Sequence, residues 1–208
     1  ERLRATRTNV LHALSHGARQ VVVVTSAGPR EGASTTAAGL ARVLALSGHR
    51  VVLVGGDLRS PSAVGAPGAP GLAEVLVGTA RLSQVLVEGE VPGLELLPAG
   101  DMPGNPSELL GGRNMSDLLH HLAADRIVII DAPPVCRFTD VVLAEYAGGV
   151  LLVARAGRTS AEELREAALA VGQGGGHMLG VVLTNVSDLG RGSRSAQTAV
   201  THAESATV

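Results

Sequence analysis

The residues best suited to chemistry sit just after apolar runs. Gly28-Pro29-Arg30-Glu31-Gly32-Ala33-Ser34-Thr35 follows the β-branched run Gln20–Ser26 and opens a helical pattern. A glycine-rich turn between a strand and a helix attracts phosphate without any charged side chain, because backbone N–H groups and the helix N-terminus face the anion. In the Walker A pattern, G-x-x-x-x-G-K-[ST], a lysine reaches the β- and γ-phosphates and a hydroxyl binds Mg2+. Here Ala33 stands where the lysine belongs, Ser34 is the candidate Mg2+ ligand and Thr35 a candidate phosphate partner. Gly28 and Gly32 are one residue too close for the pattern unless Ala27 fills the first slot. On these residues alone, a plain tight turn competes with a phosphate cradle.

Two carboxylates complete the set. Asp57 follows the run Arg50–Val54 after a glycine pair, and Asp131 ends four aliphatic residues in the Walker B form. A carboxylate at a strand end beside a phosphate loop is where Mg2+ is held, whereas a turn cap is the bland alternative for Asp57. Asp131-Ala132-Pro133-Pro134 forces an extended turn. Ser34, Asp57 and Asp131 are thus the candidate metal ligands, and the two aspartates the candidate catalytic groups. Arg30 and Arg59 are the cations placed to stand in for a lysine, although exposed loop arginines are more often simply solvated.

All 17 basic residues are arginines, so Schiff-base chemistry, a lysine base and a phosphate-loop lysine are excluded. An apolar share of 45% against 17% charged excludes global disorder. Phe138 and Tyr146 are the only aromatics, which speaks against a stacked platform for single-stranded nucleic acid. The net charge of −2 carries no polyanion signature, so no nucleic-acid partner is expected. Cys136 is the only cysteine and fits a reducing cytosol. No apolar run approaches the ~18 residues of a membrane span, and no signal peptide is expected. The chain begins at Glu1 and reads as a fragment of something longer.

The elements that must position these residues alternate. Residues 1–16 read as a helix with Leu3, Val10, Leu11 and Leu14 on one side. Strands are expected at 20–26, 50–54, 94–98, 126–131, 149–154 and 179–185. Helices are expected at 35–47, 72–77, 81–88, 107–123 (with Ser107 as N-cap), 140–146 and 160–171. The Pro/Gly/Ala stretch 60–71 reads as a mobile connection and 187–208 as a flexible tail. Continuous apolar strands alternating with helices imply an α/β fold, a parallel sheet with helices on both faces, whose ligands sit at the strands' carboxyl ends.

Taken together, these segments resemble the cytoplasmic domain of bacterial tyrosine kinases of polysaccharide biosynthesis, P-loop proteins that partner or fuse to chain-length-determinant membrane proteins. The resemblance covers about residues 1–186. Besides the phosphate loop, it rests on Gly71-Leu72-Ala73-Glu74-Val75-Leu76, on Asn105-Pro106-Ser107-Glu108-Leu109-Leu110 and on the Asp131-Ala132-Pro133-Pro134 turn. The family loop, G-x-x-E-G-K-S-T, resolves the spacing: Gly28, Glu31, Gly32, Ser34 and Thr35 match and only the lysine is lost. The resemblance implies a P-loop NTPase-like sheet of the deviant Walker type, Mg2+ and ATP or ADP as ligands if nucleotide binding survives, and phosphate transfer to tyrosines on a neighbour's tail. It also implies that Asn185 contacts adenine. Glu1, Arg4 and Arg7 match a Glu-x-x-Arg-x-x-Arg motif that packs subunits into a ring, here of this chain alone or with an active paralogue. A membrane chain-length-determinant partner would place the chain at the inner face of the plasma membrane.

Three departures bear on one reaction. Ala33 replaces the lysine, Gly55 replaces the first aspartate of the family's D-x-D-L-R pattern, and residues 190–208 contain no tyrosine. Together they favour a degenerate kinase that keeps fold and assembly surface. The alternatives are an active Mg-ATP-dependent tyrosine autokinase and a partition-type ATPase. The segment 105–110 and the Glu/Arg motif speak against the last, as does the lack of a basic amphipathic C-terminal helix. Spacings of three place Glu1, Arg4 and Arg7 along one helix side, where charges can pair across an interface. Charge reversal at Arg4 and Arg7 is expected to weaken self-association in sedimentation velocity. Unchanged association would reduce the motif to a solvated helix face.

Overall fold

The computed structural model describes residues 3–16, 19–59, 64, 66, 68–102, 104–135 and 141–186. Glu1, most of the connection expected at 60–71, Asp140 and the expected tail lie outside the described residues. In chain order the elements are α1 (Leu3–His16), β1 (Val21–Ser26), α2 (Ala33–Ala45), β2 (Val51–Gly55), α3 (Leu72–Val77), α4 (Leu82–Val85), β3 (Val87–Glu88) and β4 (Leu94–Leu97). There follow α5 (Pro106–Leu110), α6 (Arg113–Leu122), β5 (Ile127–Asp131), a 3-10 helix (Val142–Tyr146), β6 (Gly149–Arg155), α7 (Ala161–Gln173) and β7 (Met178–Thr184).

Seven strands form one sheet in the order β3-β4-β2-β5-β1-β6-β7. All neighbours run parallel except the short β3, which pairs antiparallel to β4. Period-two alternation sends successive side chains to opposite faces. Val22, Val24, Leu53, Ile129 and Val153 pack with α1 and α2 on one face. Val23, Val52, Val54, Ile130 and Leu152 pack with α3, α6 and α7 on the other. Central strands buried on both faces explain the unbroken aliphatic runs, and the α/β class expected from them holds. Within α1, Val10 and Leu14 are buried as its apolar side implied. The helix lies so close to α2 that a Cβ on Gly39 would meet Leu3 Cδ1 at 2.5 Å.

Three expected helices differ. The helix placed at 81–88 stops at Val85, and Val87–Glu88 instead extends the sheet opposite Leu96 and Glu95. The helix placed at 107–123 is two, α5 and α6, broken at Gly111-Gly112, where glycine's backbone entropy makes a continued helix costly. Pro106 starts α5 one residue early, so Ser107 lies inside the helix and Asn105 takes the cap position. The segment before β6 is a 3-10 helix over Val142–Tyr146. By contrast Ser160 caps α7 as a full capping box, accepting from Glu163 N at 3.1 Å while its own N–H donates to Glu163 Oε2 at 2.7 Å.

The string that begins at Gly71 is joined to the segment 98–101, which follows β4. Leu72 N and Ala73 N donate to Pro98 O and Ala99 O at 2.8 and 3.0 Å. Glu74 closes the join by accepting from Gly71 N at 2.6 Å and Asp101 N at 3.0 Å. Burial pushes the Glu74 carboxyl up, but these N–H donors outweigh it and hold the group below its usual range. The approach leaves no room at residue 71: a Cβ there would lie 2.1 Å from Pro98 O. Gly71→Ala is therefore expected to force the 98–101 segment away and cost about 2 kcal/mol or more, as overpacking does. Urea denaturation measures it, and a loss within error would show that the join yields freely.

Candidate functional site

β1 delivers the phosphate loop and β2 and β5 deliver the two carboxylates, all at the carboxyl end of the sheet. Two loop residues hold left-handed backbone: Arg30 at φ 60° and Gly32 at φ 99°, the latter at the N-cap of α2. Glycine takes that conformation without steric cost. A Cβ at Gly32 would meet Thr184 Cγ2 at 3.3 Å. Ser26 Oγ donates to Gly28 O at 2.8 Å, and Thr36 Oγ1 donates to Gly32 O at 2.8 Å, so both glycine carbonyls are engaged within the protein. Pro29, Arg30 and Thr35 are exposed, whereas Ala33 is buried in the α2 face of the core.

Asp131 lies at the end of β5 between β1 and β2, its Cα paired with Val24 on one side and Gly55 on the other. It is 4% exposed. Burial pushes its carboxyl up to about 6; a hydrogen bond donated by the Ser34 hydroxyl opposes the rise, and the Asp57 carboxylate adds to it. Asp57 is half-buried and accepts from Arg59 N at 3.1 Å. Ser34, Asp57 and Asp131, proposed from sequence as one set, are therefore together. Gly56 between them admits no side chain, since a Cβ would sit 2.7 Å from Ile130 Cγ2.

This donor set suits Mg2+. Its oxygen donors are hard, and Mg2+ binds through one or two carboxylates plus phosphate oxygens and water rather than an all-protein cage. Among the described residues no group of three or more His, Cys, Asp or Glu could hold a metal. Bound there, Mg2+ would neutralise the aspartates and polarise phosphate oxygens. Arg59, one candidate substitute for the lysine, reaches α5 instead, where Nη2 donates to Ser107 Oγ at 2.8 Å. Arg30 is exposed, and its carbonyl accepts from Arg155 Nη1 at 3.4 Å.

Asn185 follows β7 in left-handed backbone (φ 55°), which asparagine tolerates better than most, and is exposed. At the far side of the chain, Arg7 Nη1 donates to Ser47 Oγ at 2.7 Å beyond the end of α2. Sequence reasoning missed Thr159 and Thr184, which bond to Glu31. Their one signal was position, at or just after the carboxyl ends of β6 and β7.

No family model matches the chain. Putative tyrosine-protein kinase EpsB of Ralstonia nicotianae is 39% identical over 171 residues, which are 80% of this chain and 23% of that protein. Tyrosine-protein kinase YwqD of Bacillus subtilis is 35% identical over 188 residues, 88% of this chain and 79% of that protein. The chain thus spans about a quarter of the first relative and most of the second. Among solved structures, the kinase domain of Escherichia coli tyrosine kinase ETK superposes with a TM-score of 0.84 at 29% identity, covering 94% of this chain and 78% of that one. The BceF tyrosine kinase domain gives 0.80 at 34% identity, covering 87% and 75%. The cell division ATPase MinD of Pyrococcus furiosus, at 0.68 and 20% identity over 81% of this chain and 73% of that one, shares the fold.

The Asp131 environment sets a pH dependence with a definite sign. The folded pKa of about 6 lies above the ordinary value of 3.8, so ionising Asp131 opposes folding. Its contribution to stability is present below about pH 4 and is lost as pH rises to about 6, a difference of about 3 kcal/mol. Denaturant melts of metal-free protein should show this fall, and Asp131→Asn should flatten it. An identical profile in the variant would place the titration elsewhere.

Proposed function

The chain belongs to the bacterial tyrosine-kinase family, and on that premise we propose that it is a kinase-like domain in polysaccharide chain-length control or export, impaired in phosphotransfer and regulatory or structural in role. Ala33 carries this proposal. Its methyl is 9% exposed and packed in the cluster of Ala37, Leu40 and Ala41, so the position is apolar core rather than a lost surface charge. Phosphoryl transfer is catalysed mainly by positioned charge, and removing one stabilising group commonly costs about 10²–10³ in rate. Gly55 adds support. It lies in register with Asp131 on the neighbouring strand, where an aspartate would complete a denser carboxylate site for the metal.

What survives is a cradle of backbone amides with Ser34, Asp57 and Asp131. Nucleotide, if bound, is held by these groups, with Asn185 at the base end. One observation favours a second reading, a working Mg-ATP-dependent autokinase: the three oxygen ligands remain together. No described helix is long and apolar enough to cross a membrane. A fused or partner membrane protein is therefore proposed as the anchor, with self-association or a mixed ring as the assembly.

Calorimetric titration with Mg·ADP and Mg·ATP, followed by phosphotyrosine detection after incubation with ATP, separates the two readings. The impaired domain yields no phosphotyrosine, even when nucleotide binds; its appearance at Tyr146, the chain's only tyrosine, or on an added relative's tail overturns the proposal. Ala33→Lys with Gly55→Asp is expected to raise nucleotide affinity about tenfold or more, the worth of one charged hydrogen bond. No gain would mean the rest of the pocket has also decayed.

A further inference from the structure

Glu31 is an acidic residue inside a loop shaped to attract anions, and it is 4% exposed. Its carboxylate Oε1 accepts from Thr159 Oγ1 at 2.5 Å, the length of a charge-assisted O–H···O− bond. A carboxylate has no proton to give, so the hydroxyl donates, and its oxygen also accepts from Arg155 N at 2.8 Å. The Glu31 carbonyl is held separately, accepting from Thr184 Oγ1 at 2.6 Å, while Thr184 O accepts from Ala156 N at 2.9 Å. Glu31 Oε2 is buried without a partner among the described residues.

Both threonines sit at the ends of the two strands that finish the sheet. Thr159 follows β6 and Thr184 ends β7, immediately before Asn185. The loop is therefore tied at one residue, by side chain and by backbone, to the two segments that follow β6 and end β7. The fit is tight on both sides: a Cβ on Gly28 would meet Glu31 Oε1 at 3.2 Å, and one on Gly32 would meet Thr184 Cγ2 at 3.3 Å.

We propose that Glu31 is a positioning residue: Thr159 and Thr184, acting through its carboxylate and its carbonyl, hold the phosphate loop in its anion-cradling shape from the ends of β6 and β7. The loop's geometry then does not depend on the residue at position 33, which explains how a cradle persists around an alanine. The same ties make the loop sensitive to whatever occupies the segment that begins at Asn185. The ligand-binding part of this inference rests on residues 28–35 being a nucleotide phosphate site; the positioning part does not.

The test uses Thr159→Val, Thr159→Ser and Glu31→Gln, with two readouts on the full chain. Hydrogen exchange of the amides at 28–33 reports loop order, and calorimetry reports affinity for Mg·ADP and for inorganic tripolyphosphate. Thr159→Val keeps the side-chain volume but removes the donor. It is expected to speed loop exchange about tenfold or more and to weaken both ligands alike by about the same factor, the worth of one charged hydrogen bond. Thr159→Ser should restore both, and Glu31→Gln, which buries an amide N–H2 without an acceptor, should resemble Thr159→Val. Unchanged loop exchange in a folded Thr159→Val chain overturns the proposal. So does a Thr159→Ser chain as perturbed as the valine, since a retained hydroxyl would then fail to hold the loop. If the unmodified chain binds neither ligand, the nucleotide reading fails, and the exchange measurement still decides the role of Glu31.

Discussion

A carboxyl group that is reluctant to ionise lies at the centre of the site. Asp131 sits where β5 ends between two neighbours, out of water, with Asp57 beside it and one hydroxyl from Ser34 as compensation. A single neutral donor does not offset the loss of solvation of a carboxylate, so the group keeps its proton to a higher pH than an ordinary aspartate. The surrounding architecture preserves this arrangement. Gly55 and Gly56 keep the floor clear, and the Pro133-Pro134 turn is fastened to β1 because Thr25 Oγ1 donates to Pro133 O at 2.6 Å and Val135 N to Ser26 O at 2.8 Å. The sheet brings the three oxygen ligands together through its strand order rather than through their spacing along the chain.

Loss of the loop lysine acts differently on binding and on catalysis. Backbone amides and a helix N-terminus attract phosphate whatever side chain follows Gly32. Transfer requires charge placed where the transition state develops it, and an alanine buried among Ala37, Leu40 and Ala41 offers none. The proposed impairment of phosphotransfer rests on this difference between shape and charge. The ties to Glu31 belong to the shape, and the site's remaining charge belongs to Asp57 and Asp131.

The segments that mark the family outside the phosphate loop do structural work at a distance from it. Gly71 through Glu74 grip Pro98 through Asp101 by three hydrogen bonds that involve backbone groups, and a fourth from Gly71 N fixes the Glu74 carboxylate, which is why glycines at 71 and 100 accompany a glutamate at 74. Ser107, expected to cap a long helix, instead accepts from Arg59 and joins α5 to the loop that carries Asp57. The second of these strings thus lies beside the loop that carries Asp57.

Order along the chain sufficed for the layers and for the core of the site. Aliphatic runs of strand length that alternate with helical patterns specify a parallel sheet, because doubly buried strands cannot alternate with polar residues, and in such sheets ligand sites lie at the strands' carboxyl ends. Ser34, Asp57 and Asp131 followed from that rule, as did the loop that opens α2. The breaks at Gly111-Gly112 and at Val85 were not evident, since helical periodicity crosses both and the winning terms are glycine entropy and an edge-strand pairing with β4. Nor was the partnership of Glu31 with Thr159 and Thr184, which lie 128 and 153 positions away and meet it only because β6 is laid beside β1 and β7 beside β6. Local composition determines which elements form and which residues end them. Which ends become neighbours, and so which hydroxyl holds which carboxylate, is decided by the crossover connections of the folded sheet.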